Sequence, residues 1–234
     1  MTDLASQIVR PAEISTADRE AMFAVMNLVY DQLGREHFED DLASKDEVIM
    51  LRDQAGQVAG FSTQRIITIR LGDQQVTGVF SGDTVIHPEH WGSLALMQAF
   101  AQRYIIERPE PWYWFLISKG HRTYRMLPTF FTEFWPNRRT TTPPHAQAIM
   151  DAYATQLYGA DYDPHTGVLA YAQAKDRLRA GVAGVTEALL RNPDIAYFVQ
   201  RNPGHERGHD LVCLAELSPA KLRPQHRTRL YTSP

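Results

Sequence analysis

Hydrophobic and polar positions change their period several times along this 234-residue chain, and each change marks an element. Residues 76–105 hold the clearest succession: a β-branched and aromatic run, a turn, then an amphipathic helix. Val76, Val79, Phe80, Val85 and Ile86 predict a strand with both faces buried. Gly78 and Gly82 interrupt it, as glycine does at a bulge or where a ligand or another backbone comes close. Pro88 ends it, having no N–H for the ladder. Leu94, Met97, Phe100, Ala101, Tyr104 and Ile105 then recur at helical spacing, opposite Gln98, Gln102 and Arg103. Gly92 or Ser93 stands at the start of this helix, where the first backbone N–H groups are free to take an anion.

The rest of the chain is arranged about that unit. Residues 7–10 predict a short strand stopped by Pro11, and Ser15 or Thr16 caps a helix with a stripe of Met22, Val25, Met26, Val29 and Leu33. Gly34 ends this helix, and residues 38–44 give one acidic helical turn whose Glu39, Asp40 and Asp41 read as a solvated face. Residues 48–52, 58–69 and the strand from Val76 are joined by the tight turns Asp53–Gly56 and Leu71–Asp73, which implies an antiparallel meander. The passage through the helix to the apolar run at 112–117 implies a right-handed crossover and a parallel neighbour, so the sheet is mixed. A short helix is expected over 122–127, ended by Pro128, before the core aromatics Phe130, Phe131, Phe134 and Trp135. Residues 137–144 form a surface loop, 146–158 and 176–190 predict helices, and 195–199 with 211–217 predict a closing pair of strands.

Composition narrows the class without naming the substrate. With 44% hydrophobic and 22% charged residues, the chain has ample material for a core, and its net charge of -3 gives no reason to expect nucleic acid as a partner. Cys213 is the single cysteine, set in an apolar run as a buried filler. No signal peptide or membrane-length apolar run is visible, so a cytoplasmic protein without a membrane partner is expected.

The succession of strand, helices, meander, crossover helix, interior strand, short helix and terminal strands resembles the GNAT-type N-acyltransferases over roughly residues 8–135. The resemblance implies an α/β (α+β) fold with a mixed, mostly antiparallel sheet flanked by helices. We expect residues 1–234 to form one domain, with 137–194 as a loop-plus-helices insertion before the last strand pair. In that family a turn and helix N-terminus after the central strand hold the pyrophosphate of acyl-CoA. The matching segment here is VIHPEHWGSLA, running from Val85 and Ile86 through His90, Trp91, Gly92, Ser93 and Leu94 to Ala95. His90 replaces the usual Arg or Gln and Ser93 a usual Gly, while Ala95 fits.

The resemblance further implies acyl-CoA (acetyl-CoA) as co-substrate, no metal, and transfer of its acyl group to an amine. Asp83 would be the base, Tyr124 the acid that protonates the departing thiolate, and an amide near Val85 the group that polarises the carbonyl. Asp83 also reads as a strand-end residue bonding the turn, and Tyr124 as a core ring. Lys119, His121, Arg122 and Arg125 either pair with the phosphates of CoA or of a carrier-protein thioester, or form a solvated face. Trp91 either caps the donor or anchors its helix by packing. The acceptor is a small-molecule amine or a peptide, an acyl carrier protein is a candidate partner, and a homodimer is left open.

Two other readings compete. A GNAT-like binding or regulatory protein without transfer chemistry would tolerate the degenerate turn. His205-Glu206-Arg207-Gly208-His209 matches H-E-x-x-H, which on a helix would place two imidazoles on a zinc ion in a metal-dependent hydrolase. Pro203, Gly204 and Gly208 make that stretch read as a loop. His87 and His90 form a second, weaker pair.

Overall fold

Ser15 caps the first long helix by accepting from Asp18 N–H at 3.1 Å, and the stripe Met22, Val25, Met26 and Val29 is buried beneath it. The computed structural model describes residues 4–108, 112–171 and 177–231. In chain order it comprises β1 (Ala5–Val9), α1 (Thr16–Val29), β2 (Tyr30–Asp31), α2 (Arg35–Ala43), β3 (Glu47–Arg52), β4 (Val58–Leu71) and β5 (Gln74–Ile86). Then come α3 (Ala95–Ala101), β6 (Trp112–Ser118), α4 (His121–Phe130), α5 (Pro144–Tyr158), β7 (Tyr162–Asp163) and β8 (Val168–Leu169). The chain continues with β9 (Arg177–Leu178), α6 (Ala180–Ala183), α7 (Glu187–Leu190), α8 (Pro193–Arg201), β10 (Asp210–Leu217) and α9 (Pro224–Tyr231).

Eight strands form one sheet in the order β1-β3-β4-β5-β6-β10-β8-β7, antiparallel except where β5 runs parallel to β6. The expected mixed, mostly antiparallel sheet flanked by helices is what the chain forms. Strand alternation sorts the core. Ile49, Leu51, Val79, Trp114 and Leu116 pack on the side of α3, α4 and α8. Their neighbours Val48 and Met50 meet α1 and α2, while Phe80 and Phe115 meet α5. The space between those last two blocks matters for the site. No helix among the described residues is long and apolar enough to cross a membrane.

Several expectations fail for local reasons. Gly34 does not end α1; the helix stops at Val29 because Tyr30 and Asp31 turn into a strand paired with Leu178 and Arg177, and Gly34 instead precedes α2. The acidic stretch is a nine-residue helix, held by Glu39 bridging Arg19 and Arg35. Pro128 lies inside α4, which continues to Phe130 because Leu127 and Phe130 are buried. Residues 195–199 are not a strand. Asn192 accepts from Asp194 and Ile195 N–H at 2.9 and 3.3 Å, Pro193 follows at N1, and α8 results. The expected closing pair of strands is therefore replaced: β10 pairs with β6 on one side and β8 on the other. The helix expected over 176–190 is broken at Gly184 into β9, α6 and α7, and Asp176 lies outside the described residues.

Candidate active site

The site begins with a fault in the sheet. Ser62 pairs with Thr84 but Gln64 pairs with Ser81, so Gly82 and Asp83 bulge against Thr63. The parallel pairing of β5 with β6 runs from Gly78–Tyr113 to Ser81–Leu116, and past it the strands part. A buried polar chain fixes the point of parting. Trp114 Nε1 donates to Ser81 Oγ at 2.8 Å, Ser81 Oγ donates to Gln64 Oε1 at 2.8 Å, and Gln64 Nε2 donates to Ser62 Oγ at 2.7 Å. Ser62 and Thr84 then share a hydroxyl bond at 2.7 Å.

A cavity of about 520 Å³ opens in the gap. Asp83, Val85 and Ile86 line it from β5, and Trp91, Gly92, Ser93 and Leu94 from the turn. Lys119, Arg122 and Arg125 line it from the end of β6 and from α4. Gly92 has φ +95°, a conformation that favours glycine and that lets the turn deliver the chain to α3. The first N–H to bond back along that helix belongs to Gln98, reaching Leu94 O at 2.8 Å, while Ala95 N–H is taken by Ser93 Oγ at 3.3 Å. Trp91 donates through Nε1 to Ile86 O at 2.8 Å, and the Arg122 guanidinium sits 4.1 Å from its ring centroid. Its packing role is thus the one visible: it ties the turn to α4.

The strand order and the parting of β5 from β6 resemble the GNAT-type N-acyltransferase fold. No protein-family model matches the chain. No curated protein matches it either. Solved structures similar to it include a probable N-acyltransferase from Enterococcus faecalis V583, 13% identical over 65% of this chain and 43% of that one, with a TM-score of 0.41. NAA60 of Arabidopsis thaliana in complex with acetyl-CoA is 13% identical over 56% of this chain and 87% of that one, at 0.40. The histone acetyltransferase HPA2 and related acetyltransferase from Corynebacterium glutamicum is 13% identical over 61% and 93%, at 0.38. The chain spans less than half the length of the Enterococcus protein.

Ten of the candidate site residues singled out from the sequence meet at one cavity: Asp83, Val85, Ile86, Trp91, Gly92, Ser93, Leu94, Lys119, Arg122 and Arg125. His90 does not line it; its ring lies 6.0 Å from that of His87 in the preceding turn. Ala95 does not line it either and packs against the core as the first residue of α3. Tyr124 is a correction. Its ring is fully buried, its hydroxyl donates to Pro136 O at 2.9 Å, and burial raises its pKa, so it packs the core under α4 away from the cavity. His121 is another: it is buried, and burial followed by the Arg122 and Arg125 charges pushes its imidazole down to about 4, leaving no cation for a phosphate.

Sequence reasoning missed the opposite wall. Asp210, almost wholly buried at the start of β10, accepts from Tyr171 OH at 2.8 Å and lies 4.0 Å from Lys119 Nζ. Tyr158, at the end of α5, packs edge-on against Phe80 and faces the same cavity. Burial, then the carboxylates of Asp210, Asp41 and Asp83, raise its phenol well above the ordinary value. The signals were slight: a lone Asp before the apolar run LVCLAEL, and two tyrosines flanking a turn-rich stretch.

The H-E-x-x-H stretch does not form a helical metal site. His205–Arg207 is a single 3-10 turn, Gly208 follows at φ +92°, and His205 Nδ1 lies 3.0 Å from Asn202 O. Among the described residues no three His, Cys, Asp or Glu side chains stand together as metal ligands do. Cys213 is buried in β10, with its thiol pushed up to about 12.

Proposed function

We propose that this protein transfers an acyl group from acyl-CoA, or from a carrier-protein thioester, to an amine. The observation that carries the proposal is the parting of β5 from β6 over a cavity with a turn and helix start at one end. The strand edge of Thr84–Ile86 would take the thioester arm, with the amide near Val85 polarising its carbonyl. The diphosphate would meet the amides entering α3, where the helix dipole favours an anion, beside Lys119, Arg122 and Arg125. Asp83 is the base for the amine. Tyr158 takes the role expected of Tyr124: it lines the cavity, and its phenol, protonated at neutral pH, can donate to the leaving thiolate. The same reading takes residues 1–234 as one domain, supported by a sheet that joins β1 near one end of the chain to β10 near the other. The test is thiol release from acetyl-CoA in the presence of amines. Asp83→Asn and Tyr158→Phe should each lower turnover by about a hundredfold with donor affinity kept. Full turnover in both would remove the acid–base assignment.

A further inference from the structure

Residues 177–183 reach back across the cavity. Leu178 pairs with Tyr30 and Arg177 with Asp31, fastening β9 to β2 just beyond α1. Arg179 adds three tethers at the same place: its N–H to Val29 O at 2.9 Å, its Nε to Asn27 O at 3.0 Å, and an ion pair with Asp31 at 3.0 Å. Leu178 and Val182 line the cavity and pack against the apolar side chains under α1 and α2. On the far lip the strap touches the start of α4, since a Cβ added at Gly120 would stand 2.7 Å from Leu178 Cδ1. The strap thus bridges the end of α1 and the junction of β6 with α4, over the gap that the parted strands open.

Such a bridge restricts what can approach. A polypeptide acceptor must run its backbone past the reacting amine and needs an open trough, whereas a small amine needs only a chamber. The cavity of about 520 Å³ falls within the roughly 300–1,000 Å³ usual for small-molecule sites. On the acyl-transfer reading, on which this inference rests, the thioester arm fills part of that volume. The wall left to the acceptor carries Asp83, the base proposed for the amine, beside two carboxylates already matched by cations, Asp41 with Lys45 Nζ at 2.5 Å and Asp210 with Lys119 Nζ at 4.0 Å. We infer that the strap at residues 177–183 selects a small amine as acceptor and excludes polypeptides. In the transfer, the free-base nitrogen attacks the thioester carbonyl, the C–N bond forms as the C–S bond breaks, the base takes one amine proton, and the thiolate leaves and is protonated.

The experiment uses the full chain, acetyl-CoA as donor, and two acceptor panels. One holds short diamines, amino acids and amino sugars; the other holds peptides with a free N-terminus and an internal lysine. The best small amine should exceed the best peptide in kcat/KM by about a hundredfold. Arg179→Ala, which removes two of the three tethers, should raise peptide turnover by about tenfold while acetyl-CoA affinity is unchanged. Gly120→Ala, which pushes on Leu178 from the other lip, should act in the same direction. Peptides accepted by the wild type as readily as small amines would overturn the inference and leave acyl transfer standing, and so would variants whose peptide turnover does not rise. If a variant does not fold, the wild-type ratio decides. Absence of acetyl-CoA binding and of thiol release with either panel would remove the acyl-transfer reading and this inference with it.

Discussion

His121 should make the protein lose stability in mild acid, by an amount the structure sets. It opens α4 with 3% exposure, its Nδ1 has no hydrogen-bond partner, and its pKa is lowered from 6.5 to about 4. Because the folded value lies below the unfolded one, the unfolded chain takes the proton first. The neutral ring's contribution is whole above the unfolded pKa and is lost as pH falls towards the folded one. With those two values, protonation favours the unfolded state by about 2 kcal/mol near pH 5 and ~3 kcal/mol near pH 4. Urea unfolding of the wild type and of His121→Leu, compared at about pH 7 and about pH 5, isolates the term. The wild type should lose about 2 kcal/mol more than the variant between the two conditions. Parallel losses would refute the reasoning. The consequence is functional too, since Arg122 and Arg125 follow on the same helix and face the cavity.

Three further outcomes follow from the site and its support. Tyr124→Phe, which frees Pro136 O, should cost about 1–2 kcal/mol in denaturant unfolding and leave turnover near wild type, whereas Tyr158→Phe should do the reverse. Gln64→Leu removes one hydrogen-bond partner from each of Ser62 and Ser81 beneath the parting strands. It should cost ~2–4 kcal/mol in urea unfolding and weaken acetyl-CoA binding measured by calorimetry. Asn192→Ala, removing the cap of α8, should cost about 1 kcal/mol, read as a shift in the urea midpoint.

The sheet and the cavity wall formed by β5, the turn before α3 and the start of α4 were legible because they depend on short-range signals. The meander follows from strand density and turns such as Asp53–Gly56, and the parallel step follows from the helix between β5 and β6. The turn from Trp91 to Leu94 and the cations at Lys119 and Arg122 sit within a few residues of strands that the pattern locates. The opposite wall was not legible, because it is assembled from distant parts of the chain. Tyr158 comes from α5, Asp210 from β10, and Leu178 from a two-residue strand that exists only by pairing with Tyr30. Ile195–Val199 misled through composition: its β-branched and aromatic residues suit a strand, yet the Asn192-Pro193-Asp194 start commits it to a helix whose apolar stripe buries Ile195 and Phe198. Tyr124 misled through position, since the sequence places it after β6 but cannot show that helix phase turns its ring inward.

The most direct measurement is a crystal structure of the protein with CoA bound. The account predicts the pantetheine arm lying along Thr84–Ile86 between the parted strands, and the diphosphate at Gly92–Ala95 within reach of Arg122. CoA bound elsewhere, or excluded while side chains fill the gap beyond the Ser81–Leu116 pair, would contradict it.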